Sequence, residues 1–585
     1  MRVFRLFLFP MFKRAQALFY VLPALWAIAF SLKSLREPDL WWQIRTGQQI
    51  LQEGHVPMTD WFSYTQFGQT WINIKWGFEV VAALVAQGGP ELVLLLQTVV
   101  SLLMLWQLNR LLRLLHANTP SLFFMIAAVF LFGLEYRMTG RPEMITHLMA
   151  LVFLYELMRF KLQASARIWG LIPLQILWTN MHEAYGMGPV LVALFGIGTL
   201  WDEKKITTSI KTLGLVFIGV IAALVVNPRG TALLTRPLSI FTQVQTNKYT
   251  TELSAFYTTD FWQKESVLWV LLILGLVVMI LRWDKEKRAT FFNELGTGTW
   301  LIGAAWCVLG LMAYRNMVFP WIFLCVLLAL VLRNNLSLQR MAAPVWWVMG
   351  LVFYGLIISN TYYRWVGSRD TYGLQVMGMN NPIGAANYVA SKGLDREHGM
   401  ADYLSSSYLM WRLQPQFKTY IDLRDLDVFP PEQFSHYLNI MNNTDSFHVE
   451  DLKQQWRFVV LHRNSHPNLH AYLYNDSVYA CTYVDPVCAV YEKTDSFQRG
   501  DIFSLPPAND ASSLATGIST LFHWGYKPYD PSEDNIDYAA ADYYYTVGLI
   551  SAAENRINRW RSLYSSPEAD SLYLRIQNLK QHIQP

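Results

Sequence analysis

The sequence predicts a polytopic α-helical membrane protein that ends in a smaller, water-exposed domain. Of its 585 residues, 53% are hydrophobic and only 15% are charged, whereas soluble domains average about a quarter charged residues. Apolar runs recur between residues 15 and 360, and most approach the roughly 20 residues that a helix needs to cross the hydrocarbon core. Beyond Trp365 the composition is that of an ordinary soluble protein.

About eleven of these runs are predicted to be transmembrane helices. The first follows Arg2, Arg5, Lys13 and Arg14 in the manner of a signal sequence. No small-x-small cleavage site precedes the next charged segment, so we interpret this run as a retained helix. The predicted spans are residues 15–32, 90–115, 121–136, 144–159, 168–180, 186–201, 213–227, 267–281, 299–314, 317–332 and 343–359.

The charges of the connecting loops predict the orientation. With the N-terminus inside, every second connection falls in the cytoplasm, and these connections are rich in lysine and arginine, which is the positive-inside pattern. An odd number of spans then places the chain after Asn360 outside. The whole chain has 47 basic and 43 acidic residues, a balance too even to indicate a nucleic-acid partner. The predicted cytoplasmic cations are Arg110, Arg113, Arg159, Lys161, Arg167, Lys204, Lys205, Lys211, Arg282, Lys285, Lys287, Arg288, Arg333 and Arg340.

The first outward loop, residues 33–89, is predicted to be a structured cap. Its segment DLWWQIRTGQQILQEG places Leu40, Trp41, Ile44 and Leu51 at helical spacing. The tryptophan-rich face favours a helix that lies at the lipid headgroups. A second short helix is predicted over residues 76–86, and the turn residues and aromatics between the two helices predict irregular structure.

Asp39 is the first candidate for catalysis. It follows Pro38 and lies near Glu37 just beyond the first span, where a carboxylate can act as a general base on an acceptor hydroxyl. The alternative is structural, because Pro-Asp before an apolar run is an ordinary helix start with Asp39 as the N-cap. Glu37, Asp60 and Lys75 are the other candidates in this loop.

Two further groups lie at outward helix ends. His182 and Glu183, in NMHEAYG, are further candidates for catalysis, at the rim of an outward cavity, with a polar turn that faces water as the alternative. Adjacent residues point to different helix faces, so they do not form a metal pair. Four arginines run against the positive-inside trend, which favours a polar cavity or a bidentate phosphate contact, although each alone can snorkel to the interface. They are Arg137, Arg141, Arg229 and Arg315.

Other classes of membrane protein are disfavoured. The sequence has neither a glycine-rich phosphate loop followed by lysine nor a Cys/His zinc signature, which argues against a nucleotide-driven pump. His147 and Glu156 are the main ionisable residues inside the predicted spans. An ion-coupled transporter normally carries more such residues near the midplane.

Several motifs, taken in order, resemble a group of bacterial multi-spanning proteins related to the GT-C glycosyltransferases. They are EPDLWWQIRTGQQILQEGHVPMTDWFSYTQFGQTWINIKWGFEVVAAL, GRPEMITHLMALVFLYEL, LWTNMHEAYGMGPVLV, LVVNPRGTALL and ADYLSSSYLMWRLQPQFKTYIDLRDLDVF. The resemblance implies a polyprenyl-phosphate-linked sugar as donor and Asp39 as a base or metal ligand. It also implies that the outward arginines neutralise the leaving lipid phosphate.

The resemblance leaves the cofactor open. A divalent metal ion, Mg²⁺ or Mn²⁺, is possible in such proteins, but no metal ligand set can be named. Members often carry His after the Trp pair and His-Glu before the next helix. This chain has Gln43 and Ile74-Lys75 at those places.

The chain after the last span is predicted to form an α/β domain over residues 366–495 and a mainly helical segment over residues 496–585. NPIGAANYVASKG predicts a helix, and FKTYIDL, RFVVLHR and SVYACTYVDPVCAVYEK predict strands. Cys481 and Cys488 flank a predicted turn, where a disulfide and two free thiols are both open. The last segment predicts a helical hairpin that resembles one tetratricopeptide-like unit. For Asp422, Arg424 and Asp425, local ion pairs are a simpler interpretation than a site.

The leading hypothesis is an inverting GT-C-type transferase in a bacterial inner membrane. It would move a sugar from a polyprenyl phosphate to an envelope glycan, lipid or protein acceptor on the periplasmic face, with Asp39 as the base. Membrane lipid and the lipid-linked sugar are then its partners. One alternative is a non-catalytic scaffold that binds an envelope partner through its exported domain. Another is a lipid-linked oligosaccharide polymerase or ligase.

Overall fold

The computed structural model contains two compact units. The first comprises Met1–Lys33, Ile74–Phe78 and Leu92–Gly373, and the second comprises Ser34–Asn73, Glu79–Glu91 and Leu374–Pro585. The second unit therefore takes in most of the first outward loop together with the C-terminal part of the chain. The residues described are 2–239, 251–333, 343–368, 370–378, 381–424, 427–494, 502–504, 531–563 and 566–583.

The described elements are numbered here in chain order. The helices are α1 (Arg2–Ser31), α2 (Asp39–Glu53), α3 (Trp76–Val85), α4 (Val93–Leu114), α5 (Pro120–Leu134), α6 (Glu143–Gln163), α7 (Leu171–Met181), α8 (Met187–Glu203), α9 (Thr208–Ala223), α10 (Lys264–Leu281), α11 (Lys285–Met312), α12 (Val318–Leu332), α13 (Ala343–Ile358), α14 (Thr361–Trp365), α15 (Ile383–Ser391), α16 (Tyr403–Leu413), α17 (Pro431–Asn442), α18 (Thr444–Gln454), α19 (Pro467–Asn475), α20 (Pro531–Thr546), α21 (Ile550–Leu563) and α22 (Pro567–Ile583). The strands are β1 (Gly399–Ala401), β2 (Phe458–His462), β3 (Tyr479–Val484) and β4 (Cys488–Lys493).

The described chain has six helices that are long and apolar enough to cross a membrane. Helix α4, with 22 residues, rises about 33 Å at 1.5 Å per residue, which matches a hydrocarbon core of about 30 Å. The mostly helical class is confirmed, whereas eleven spans and the orientation stay predictions. The six are Pro90–Leu114, Pro120–Arg137, Glu183–Glu203, Lys264–Leu281, Lys285–Met312 and Tyr314–Leu332, and four shorter apolar helices are Ala17–Ser31, Trp76–Gly88, Thr208–Ala223 and Pro344–Ile358.

Helix α11 begins well before the predicted span. It runs from Lys285 and bends at Gly296, whose φ of 72° lies in the left-handed region that glycine adopts at little cost. Just after this bend α11 approaches α8 closely. A Cβ atom added to Gly198 would lie 2.1 Å from the backbone nitrogen of Gly298, so only glycine allows this contact.

A four-stranded sheet in the order β1-β2-β4-β3 forms the centre of the second unit. Strands β1 and β2 are parallel, while β4 is antiparallel to both β2 and β3. The strands predicted in RFVVLHR and SVYACTYVDPVCAVYEK are confirmed as β2 and the β3–β4 hairpin. The strand predicted in FKTYIDL is wrong. Phe417 and Ile421 are buried there, but only Thr419 makes a bridge, to Ser63.

Cys481 and Cys488 do not form a disulfide, although both lie in the β3–β4 hairpin. Both are free thiols. Cys481 faces Tyr491 across the ladder, whereas Cys488 faces His462 on the other neighbouring strand. Burial raises the pKa of Cys481 to about 12, so this thiol stays protonated and behaves as part of the core.

The C-terminal segment contains three described helices instead of the predicted hairpin. Gly548, at φ 85°, separates α20 from α21, and Pro567 begins α22. Ala540 and Tyr543 of α20 belong to the same hydrophobic core as Tyr491 of β4. These helices therefore complete the α/β core and are not a separate repeat unit.

The two helices predicted in the first loop are present as α2 and α3. The prediction that the tryptophan face of α2 lies at the headgroups is wrong. Trp41 and Trp42 are almost fully buried, and the Trp41 ring packs 4.8 Å from the rings of Tyr408 and Trp411 on α16. Aromatic residues at helical spacing fit a protein core as well as a membrane surface.

Candidate functional site

Three of the four predicted arginines meet at one polar cluster in the first unit. Arg137 lies in the turn after α5, and Arg141 lies just before α6. Arg315 lies in the turn between α11 and α12. Two carboxylates, Glu143 and Glu252, join these side chains, and we call the five residues the arginine cluster.

Charge-assisted hydrogen bonds hold the cluster together. Arg137 donates from Nε to Glu143 Oε1 at 3.0 Å and from Nη2 to the other oxygen of the same carboxylate. Its Nη1 lies 3.0 Å from Glu252 Oε2. Arg141 Nη1 reaches both oxygens of Glu252 at 3.0 Å, and Arg315 Nη2 lies 3.5 Å from Glu143 Oε2. The forked contact of Arg137 with Glu143 has the geometry with which arginine also binds phosphate.

The cluster has an inner and an outer part. The Arg137 and Glu143 side chains are 7% and 10% exposed, whereas Arg141, Arg315 and Glu252 are 19%, 28% and 31% exposed. Burial alone would raise the pKa of Glu252, but Arg137 and Arg141 lower it more strongly, to about 2. Glu252 is therefore ionised at neutral pH. Three cations against two anions leave one net positive charge, which favours an anionic ligand.

His182 lies beside this cluster in a fixed tautomer. Trp178 Nε1 donates to Thr146 Oγ1 at 2.8 Å, and Thr146 Oγ1 lies 2.7 Å from His182 Nδ1. The backbone N–H of Ala184 also donates to that Nδ1. Nδ1 is thus an acceptor, which puts the proton of the neutral ring on Nε2. Burial, reinforced by Arg315 and Lys75, lowers the pKa of His182 to about 3 despite Glu183 and Glu143, so the ring is neutral and offers a donor, not a base.

The other two residues near His182 form an ion pair. Lys75 Nζ lies 2.7 Å from Glu183 Oε1. Arg229 lies after α9, where its backbone N–H donates to Asn227 and burial lowers the pKa of its guanidinium. No described contact joins Arg229 to the arginine cluster, so its predicted phosphate role stays a prediction.

Asp39 belongs to the second unit and is the first residue of α2. It is not the N-cap that local sequence also allowed, because Pro38 holds that position and no side chain caps the helix. Trp42 Nε1 donates to Asp39 Oδ1 at 3.4 Å, and the Asp39 backbone N–H donates to Glu37 Oε1 at 3.4 Å. The Asp39 side chain is half-buried and Glu37 is buried.

Neither a family model nor a curated protein sequence matches this chain. Solved structures do match. The archaeal oligosaccharyltransferase AglB from Archaeoglobus fulgidus, in complex with an inhibitory peptide and a dolichol-phosphate, aligns with a TM-score of 0.53 and 10% identity over 94% of this chain and 86% of that chain. The apo oligosaccharyltransferase of the same organism aligns at 0.52 and 11% over 82% and 74%. The mycobacterial arabinofuranosyltransferase AftD aligns at 0.49 and 12% over 82% and 42%.

The fold resembles that of GT-C glycosyltransferases. This confirms the predicted resemblance at the level of fold. At these identities the alignments carry no residue roles, so the roles of Asp39, His182, Glu183 and the arginines rest on the geometry of this chain.

No complete ligand set for a divalent metal ion occurs among the described residues. A third structure of the Archaeoglobus fulgidus enzyme, with a TM-score of 0.51, is a complex with Zn and sulfate. Within the described part of this chain, no group of three or more His, Cys, Asp or Glu side chains is placed to hold a metal. Mg²⁺ usually binds through one or two carboxylates together with water and substrate phosphates, so a metal ion in this protein stays a prediction.

Asp60 lies in a different kind of cluster, within the second unit. Its carboxylate accepts from the backbone N–H groups of Phe62 and Ser63 and pairs with Arg424 Nη1 at 2.6 Å. Arg424 also pairs with Asp422. Asp425 lies outside the described residues. Asp60, Asp422 and Arg424 are buried and paired, so we leave Asp60 out of the proposed site.

Sequence reasoning missed the two carboxylates that organise the arginines. Glu143 stands in the motif GRPEMITHL, four residues before His147. Residues four apart lie on the same face of a helix, so this spacing indicates a contact between the two side chains. His147 Nε2 lies 3.3 Å from Glu143 Oε1. Glu252 lies in a long loop with no periodicity, so only the folded chain shows that it meets Arg137 and Arg141.

Proposed function

We propose that this protein is an inverting GT-C-type glycosyltransferase that takes a sugar from a polyprenyl-phosphate donor. The arginine cluster is the observation that carries this proposal, because three guanidinium groups from separate helix ends gather with one net positive charge in a fold of the GT-C kind. A lipid phosphate needs such a partly desolvated cationic site, since its charge develops as the sugar leaves.

The proposed reaction is a single displacement. Asp39 removes the proton of the acceptor hydroxyl, whose oxygen attacks the anomeric carbon of the sugar. The bond between that carbon and the phosphate oxygen breaks, and the electron pair stays on the phosphate. Arg137, Arg141 and Arg315 stabilise the polyprenyl phosphate that leaves. Neutral His182 offers Nε2 as a hydrogen-bond donor in this scheme. No step passes through a metal ion.

The proposal includes the predicted topology. The N-terminus lies in the cytoplasm of a bacterial cell, eleven helices cross the inner membrane, and the second unit is periplasmic. The positive-inside charges of the sequence support this orientation. Fusions of a periplasmically active reporter after residues 205 and 365 test it, because only the second fusion should be active.

Replacement of Asp39 tests the catalytic scheme. We expect Asp39→Asn to lower transfer by about 10²–10⁴-fold, the usual contribution of a general base, with normal expression. Glu53→Gln is the matched control, because Glu53 is an exposed carboxylate at the other end of the same helix. The readout is the mass added to the acceptor, which also separates one sugar from an oligosaccharide. An unchanged glycan profile in Asp39→Asn cells would remove Asp39 from catalysis and favour a scaffold.

A further inference from the structure

Glu252 contacts two of the three guanidinium groups of the arginine cluster. Both oxygens of its carboxylate lie 3.0 Å from Arg141 Nη1, and one of them lies 3.0 Å from Arg137 Nη1. A carboxylate and a phosphate present two oxygens to a guanidinium in similar geometry. Both ligands therefore compete for the same donors.

The backbone holds Glu252 against the helix ends that carry the arginines. Glu252 lies in the short turn Thr251–Leu253. Next to this turn, the backbone N–H of Tyr314 donates to Ser254 O at 2.9 Å, and that of Phe256 donates to Leu311 O at 2.9 Å. The turn is thus attached to the corner that bears Arg315, although the Glu252 side chain remains 31% exposed.

We propose that Glu252 is an internal counter-ion that the donor phosphate displaces and that returns to release the product phosphate. This inference rests on the proposed function. With Glu252 withdrawn, Glu143 is the remaining carboxylate of the five-residue cluster, and the net charge of the cluster rises from one to two.

The charges of donor and product show how this exchange would assist product release. The donor phosphate is a diester with one negative charge, whereas the product is a monoester with about 1.5 to 2 negative charges at pH 7. Without Glu252, the more positive cluster would therefore hold the product more tightly than the donor. A tethered carboxylate that competes for Arg137 and Arg141 offsets this difference. Glu252 is thus a positioning residue that acts through the arginines.

Binding of polyprenyl phosphate to the purified full-length protein in lipid nanodiscs tests the inference. The variant is Glu252→Gln, which keeps the size of the side chain and removes its charge. We expect it to bind polyprenyl phosphate about tenfold more tightly than wild type, because one charge-assisted competitor is lost. Product inhibition should strengthen by the same factor, while kcat and the KM for the donor both fall.

Asp260→Asn is the matched control. Asp260 is an exposed carboxylate in the same outward connection, so this change removes an equal charge without touching an arginine and should leave affinity unchanged. Glu252→Ser is the second variant, for use if Glu252→Gln folds poorly. Its affinity for polyprenyl phosphate should also rise. Equal affinity of wild type and folded Glu252 variants would overturn the inference and leave the proposed function intact. Absence of binding in every protein, wild type included, would overturn both.

Discussion

Two arginine-centred clusters differ in charge and exposure. In the second unit, Arg424 faces Asp60 and Asp422 at 2.6 to 2.8 Å, and all three side chains are fully buried. One cation there serves two anions. In the first unit, three arginines share Glu143 and Glu252, and the outer members remain partly exposed.

The difference distinguishes a structural cluster from the one that we propose binds a phosphate. The backbone N–H, Nε and Nη2 of Arg424 donate to Asp422, and Nη1 donates to Asp60. The guanidinium also lies 4.8 Å from the Trp71 ring. Entry of a ligand there would expose buried carboxylates at high cost. The arginine cluster instead has an excess of positive charge and a carboxylate on a separate turn. In our proposal, a lipid phosphate replaces that carboxylate.

The largest predicted effect concerns the structural cluster. We expect Arg424→Met to destabilise the protein by about 3–5 kcal/mol, because it leaves Asp60 and Asp422 buried without their cation. The measurement is the free energy of unfolding of the second unit. Adding Asp60→Asn and Asp422→Asn to this variant should recover much of the loss. If Arg424→Met alone were as stable as wild type, Asp60 and Asp422 would not need Arg424 as their cation.

The next prediction concerns the outer arginines. The double change Arg141→Gln/Arg315→Gln should lower kcat/KM for the lipid-linked donor by about a hundredfold, the scale expected when donors to a developing negative charge are removed. Because both side chains are partly exposed, the thermal midpoint should shift little. A large loss of stability with unchanged activity would make this cluster structural as well.

A smaller effect concerns His182 and pH. Its pKa is about 3 in the folded protein and about 6.5 in an unfolded chain, so the unfolded state binds the extra proton between these values. The contribution of neutral His182 to stability is complete above pH 6.5 and is lost as pH falls toward 3. By pH 5 the wild type should lose about 2 kcal/mol more than His182→Gln. Parallel pH profiles of the two proteins would contradict this.

The smallest effect separates charge from geometry. Arg141→Lys keeps the positive charge but loses the planar guanidinium group, whose Nη1 contacts both oxygens of Glu252. Because lysine binds phosphate as a point charge, we expect the affinity for polyprenyl phosphate to fall by about tenfold, with unchanged stability. The affinity is measured in nanodiscs, and no loss would mean that charge alone matters.

The sequence predicted more of the fold than of the site. Apolar run lengths predicted the helical membrane class, and the position of the four arginines predicted an anion site. Three of those arginines do meet, but through Glu143 and Glu252, and a contact between Glu252 and Arg141 spans 111 residues. Local periodicity contains no information about such a pair. The same limit explains Trp41, whose burial depends on α16 and not on its own helix.

Binding of a lipid phosphate by the arginine cluster can be measured with two ligands. The experiment compares the affinity of wild type for polyprenyl phosphate and for the corresponding polyprenol, which lacks only the phosphate. We predict that wild type prefers the phosphate by at least about tenfold. The Arg141→Gln/Arg315→Gln protein should lose this preference at an unchanged thermal midpoint. Equal preference in both proteins would contradict the account.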